Sequence, residues 1–79
     1  MQLNIAKPMQ KKTVFIAWLD INTHVGNFII QPEHAPMIIA LLPNSQLMYC
    51  LSNGKLETIN VISGVVHITR ESVTLLLSE

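Results

Sequence analysis

The amino-acid sequence predicts an all-β fold, a small two-sheet antiparallel β-sandwich of about eight to ten short strands. Three observations predict it. β-branched and aromatic residues recur in short runs divided by Gly, Pro, Asn and Ser at sandwich-like intervals. An Asn53-Gly54 pair stands between two such runs. No apolar pattern of helical period lasts longer than about one turn, and no internal repeat or low-complexity stretch interrupts the chain. The 79 residues make one domain, 1–79.

Leu3 to Lys7 reads as the first strand and Thr13 to Ile21 as the second. Strict alternation along the second puts Ala17, Leu19 and Ile21 on one face and Ile16, Trp18 and Asp20 on the other. Phe28 to Ile30 and Met37 to Leu42 follow, joined by the Pro32 to Pro36 loop, and Pro43-Asn44-Ser45 turns the chain. Gln46 to Ser52 and Lys55 to Ser63 flank Asn53-Gly54, which predicts a hairpin with a type I′ turn, since Asn and Gly best tolerate the positive φ it needs at both central positions. Val65 to Thr69 and Val73 to Leu77 form a second hairpin about Arg70-Glu71-Ser72. Alternation separates His67 from Val66 and Ile68, toward solvent or an interface.

Composition limits what such a domain can do. Charged residues are 13% of the chain, apolar residues 49%, and mean hydropathy is +0.40. A domain of this size hides only about 60% of the surface of its unfolded chain, so some apolar side chains are expected on a face covered by another protein. Five basic residues balance five acidic ones and form no stripe, which argues against nucleic acid as a partner. The longest apolar runs, Val14 to Leu19 and Met37 to Leu42, fall short of the roughly 20 residues of a membrane-spanning helix. The first also lacks the cleavage site of a secretion signal, and the chain is expected to stay in the compartment where it is made. The single Cys50 fits a reducing compartment and reads as a small buried hydrophobe.

Catalytic and metal chemistry find little to build on. His24, His34, His67 and Cys50 occur at no metal-ligand spacing, no serine sits in a nucleophile elbow, and no glycine-rich loop opens a helix. Asp20, Glu33, Glu57, Glu71 and Glu79 are scattered. No cofactor, metal or catalytic residue is expected.

The most informative stretch runs from Gly26-Asn27-Phe28-Ile29-Ile30 through Gln31-Pro32-Glu33-His34-Ala35-Pro36 into Met37 and on to Ala40-Leu41-Leu42-Pro43. Each proline fixes its own φ and extends the residue before it, so the loop loses little entropy when something docks on it. On the residues alone, a stiff connector in which His34 only satisfies nearby backbone groups is the favoured reading. The order of these residues, with Ser63-Gly64 and Val73-Thr74-Leu75-Leu76-Leu77 further on, resembles the epsilon subunit of rotary ATP synthases, in its amino-terminal sandwich domain.

That resemblance implies a noncatalytic central-stalk subunit bound to the rotating gamma subunit on one side and to the polar loops of the membrane c-ring on the other, peripheral on the cytoplasmic face of a bacterial inner membrane. It implies a sandwich that resists shear while proton or sodium flow is coupled to ATP synthesis elsewhere in the complex. The turn at Gly26-Asn27-Phe28 would approach the ring, and Pro32, His34, Ala35 and Pro36, with Met37 and Ile39 of the next strand, would lie toward gamma. Trp18 is added as an interface anchor on its residue type. Asn27 replaces a frequent acidic residue of the family, Glu33 and Ile29 replace glycines, and Val65 replaces the second glycine of Ser-Gly-Gly, which suggests ordinary strand conformation there. The family's C-terminal helical hairpin has no counterpart, which reads as a short form or a cut chain, and no ATP binding is expected without it. A different class of function, a freestanding sandwich that takes a peptide or small ligand on the Pro32 to Pro36 loop, is the alternative.

Overall fold

A computed structural model describes residues 1–78; Glu79, one of the scattered carboxylates, lies outside them. The described residues form eight strands and no helix: β1 (Gln2–Lys7), β2 (Gln10–Thr23), β3 (Gly26–Ile30), β4 (Met37–Ala40), β5 (Ser45–Leu51), β6 (Leu56–Val61), β7 (Gly64–Ile68) and β8 (Ser72–Leu77). Each matches a run anticipated from residue type, with ends shifted by one to three residues.

Two layers share one strand. The first layer runs β4-β7-β8-β1 and ends on Gln10 to Phe15 of β2; the second is made by the rest of β2 with β3 on one edge and β5, then β6, on the other. The changeover has a local cause. Ile16 pairs with Leu51 and Trp18 with Cys50, so two residues of β2 advance for one of β5 and Ala17 is the extra residue of a bulge. The bulge bends β2 into the second layer and resets its alternation. Ile16, Leu19 and Ile21 therefore face the core, while Ala17 is exposed and Trp18 is half-buried outside it. This corrects the strict alternation, which had exchanged Ile16 and Ala17.

One pairing departs from an antiparallel sandwich: β1 and β8 run parallel, from Gln2 opposite Ser72 to Ala6 opposite Leu76. Parallel neighbours need a long crossover, and here the whole intervening chain serves as one. Apart from Tyr49, the buried core between the layers is aliphatic, with Leu3, Ile16, Leu19, Ile30, Ile68 and Leu75 among its fully buried side chains. Each contributes about 1.5–3 kcal/mol by leaving water.

The hairpin at Asn53-Gly54 is present, but its turn is not type I′. Gly54 has φ 94°, whereas Glu33 and Asn44 are the only non-glycine residues with positive φ among those described, so Asn53 lacks the required conformation. Leu51 N–H donates to Lys55 O at 2.8 Å and Gly54 N–H to Leu51 O at 2.8 Å. That closes a three-residue loop ending on glycine, and the Asn53 side-chain oxygen accepts from Lys55 N–H at 3.0 Å. Asn53 thus stabilises the loop through its side chain rather than through a left-handed backbone. Gly64 matters for a different reason: a Cβ there would stand 2.8 Å from Leu76 O and 2.7 Å from the Leu77 side chain. Val65 beside it is ordinary strand, as anticipated.

Candidate docking surfaces

The candidate residues do not converge on one place. Leu42 N–H donates to Asn22 O, Asn44 N–H to Ile62 O and Ser78 N–H to Ser63 O, gathering the Thr23 to Gly26 turn and these connections at one end of the sandwich. Glu33 N–H donates to Arg70 O, which ties the Pro32 to Pro36 loop to the β7–β8 turn at the other end. Strand β3 joins the two ends, and at roughly 3.3 Å per residue its five residues hold them about 16 Å apart.

At the first end the turn differs from expectation. It occupies Thr23 to Gly26, closed by Thr23 Oγ1 donating to Gly26 O at 2.8 Å and by Gly26 at φ 127°. Asn27 and Phe28 already belong to β3. Phe28 turns inward against the core, while Asn27 faces outward. The Asn27 amide donates to the Asp20 carboxylate and to Asn22 Oδ1 at 3.1 Å. Asn22 donates to Gln46 O at 3.0 Å, and Gln46 to Asn60 Oδ1 at 3.2 Å. A row of carboxamides thus crosses the second layer on its outer face. Farther along that face the side chains become apolar: Trp18 lies opposite Cys50 and Cys50 opposite Leu56, which is 55% exposed. Cys50 is half-buried on this outer face, not in the core, because it shares the face of Trp18.

At the second end Pro32, Ala35 and Pro36 are exposed and His34 is half-buried. His34 Nδ1 lies 2.8 Å from Ala35 O, the local bond to backbone that the connector reading describes. Glu33 has φ 69°, the left-handed region in which a glycine would rest without cost. In β4 the alternation runs against two of the candidates. Met37 and Ile39 pack against the core, and it is Ile38, 70% exposed, that faces out.

Ile38 belongs to a surface that the candidate residues missed. It lies opposite His67, which is exposed as alternation required, and beside it Ala40, Val65, Leu76 and Ala6 form one cross-strand row over β4, β7, β8 and β1. Leu76 is 53% exposed. The signal was available: Leu76 sits between Leu75 and Leu77, and two of three consecutive leucines facing in leaves the third out. Among the described residues no group of His, Cys, Asp and Glu could hold a metal, and no helix is long and apolar enough to cross a membrane.

The fold and these surfaces define a small β-sandwich with apolar patches on its outer faces. Residues 1–79 match the family described as ATP synthase, Delta/Epsilon chain, beta-sandwich domain, and the chain belongs to it. In structure it is similar to a chain of the Euglena gracilis mitochondrial ATP synthase, solved as OSCP, F1 and c-ring in rotational state 1, with a TM-score of 0.86 at 18% identity over 98% of this chain and 49% of that one. It is also similar to a chain of the Tetrahymena thermophila mitochondrial ATP synthase central stalk and c-ring, with a TM-score of 0.84 at 13% identity over 100% of this chain and 63% of that one. The chain thus spans about half of the first of these relatives and less than two thirds of the second. No curated protein matches it significantly in sequence.

Proposed function

We propose that the chain is the sandwich domain of an epsilon-type central-stalk subunit in a rotary ATP synthase, noncatalytic, holding the gamma subunit to the membrane ring. The observation that carries this reading, beside family membership, is the pair of apolar outer faces, one around Ile38, Val65 and Leu76 and the other around Trp18 and Leu56. In a chain of net charge zero, such faces are poor surfaces for water and good ones for a protein.

Two separated ends suit two partners. The carboxamide row and the Thr23 to Gly26 turn would meet the ring loops, and the Pro32 to Pro36 loop with Ile38 would meet gamma. The carboxylate missing at Asn27 is supplied one strand away by Asp20, whose oxygen the Asn27 amide contacts. Asp20 would then offer the negative charge to a basic ring loop. The domain would be peripheral to the membrane; the cytoplasmic face of a bacterial membrane is the setting carried over from the resemblance, whereas both solved relatives are mitochondrial.

Co-expression with the gamma subunit tests the reading. A stoichiometric complex that survives size exclusion supports it. A monodisperse chain that ignores gamma would favour a freestanding module that takes a ligand on the Pro32 to Pro36 loop.

A further inference from the structure

The inner faces of the two layers are not apolar throughout. On the first layer the inward row of Leu3 and Ile5 continues into Lys7, and across the pairing Ile5 meets Lys12 while Lys7 meets Gln10. On the second layer Tyr49 lies opposite Glu57 and Leu47 opposite Ile59. Where these stretches face each other they line a half-open cleft of about 210 Å³. Its apolar wall is Ile5, Tyr49 and Ile59, and its polar groups come from Lys7, Lys12, Gln10, Thr58 and Glu57.

Tyr49 is only 2% exposed, yet it belongs to the wall of this cleft. Inward-pointing charge is also a known way of keeping a sheet edge from pairing with another chain. That role explains Lys12, on the layer-edge segment of β2, but it needs no phenol in the wall of a cavity.

We propose that this cleft binds a small organic carboxylate, with the anionic oxygens between the Lys7 and Lys12 ammonium groups and within reach of the Tyr49 hydroxyl, and a short apolar body against Ile5 and Ile59. The volume, below the roughly 300 Å³ of a drug-sized pocket, suits a short aliphatic body. Glu57, opposite Tyr49, repels any carboxylate, so a single anionic group must sit on the lysine side of the cleft and a dicarboxylate is disfavoured. The site goes beyond the rotor reading and does not depend on it.

Titration of the isotopically labelled chain with sodium butyrate at fixed ionic strength, followed by amide chemical shifts, tests the site. Saturable shifts confined to the cleft-lining segments of β1, β2, β5 and β6 are expected, with butanol and inorganic phosphate each weaker by about ten-fold, the worth of one charge-assisted hydrogen bond. Lys12→Gln, at an exposed position, should weaken butyrate by about the same factor, and Tyr49→Phe, which keeps the ring, by several-fold. Shifts that do not saturate, shifts at every lysine, phosphate binding as tightly as butyrate, or full affinity in Lys12→Gln would each overturn the proposal. Should Tyr49→Phe fail to fold, the Lys12→Gln titration still decides.

Discussion

The backbone N–H of Glu33 donates to the carbonyl of Arg70 at 3.1 Å, binding the proline loop to the β7–β8 turn. Glu33 also stands third in the turn Gln31-Pro32-Glu33-His34, closed by His34 N–H donating to Gln31 O at 3.1 Å, and takes φ 69° there. An L-residue with a side chain is worse there than glycine by roughly 1–2 kcal/mol, part of which glycine returns through the entropy of its unfolded state. Glu33→Gly is expected to raise stability by about 0.5–1 kcal/mol, a melting increase of several degrees for a domain of this size. Thermal denaturation followed by circular dichroism checks it, and a fall in melting temperature would mean that the Glu33 side chain contributes more than its backbone costs.

Gly64 has no room for a methyl group, because Leu76 O belongs to the backbone and cannot rotate away. Gly64→Ala is expected to cost about 1–3 kcal/mol through displacement of β8. Urea denaturation should show a lower midpoint with an unchanged slope, and equal midpoints would show that β7 and β8 can slide apart freely.

Trp18 and Leu19 are neighbours with opposite roles. Leu19 is fully buried and Trp18 is not. Leu19→Ala should cost about 2–5 kcal/mol of stability. Trp18→Ala should cost clearly less, while weakening gamma or ring binding by about 2 kcal/mol. Equilibrium denaturation and calorimetric titration with the partner separate the two effects. If Trp18→Ala unfolds the chain, its ring is a core element.

Leu76→Glu probes the outer face of the first layer. Because the side chain projects away from the core, stability should change by no more than about 0.5 kcal/mol. Gamma binding, measured by sedimentation, should fall. Undiminished binding would exclude this face as an interface.

The strand plan was readable in the sequence because the connections carry their own chemistry, as at Pro43-Asn44-Ser45 and Arg70-Glu71-Ser72. Alternation also placed His67 outward. What escaped were features decided by one residue of register. Nothing in Phe15-Ile16-Ala17-Trp18 announces that Ala17 is surplus, since the bulge exists only relative to Leu51 and Cys50 of a strand over thirty positions away. The Asn53 loop was misread for a similar reason: Asn followed by Gly suits two loop lengths, and the Leu51 to Lys55 pairing selects the longer. Among the candidate contact residues, Met37 and Ile39 were chosen by position in a motif rather than by face, and β4 presents Ile38 instead.

The fourteen residues of β2 belong to both layers. A pull applied to one layer therefore reaches the other along an unbroken peptide chain as well as through side-chain packing. Drawing the layers apart must lengthen covalent backbone or unzip β2 from its neighbours in turn, so the domain should give way abruptly at high tension rather than creep, and a single-molecule extension trace would carry one sharp peak.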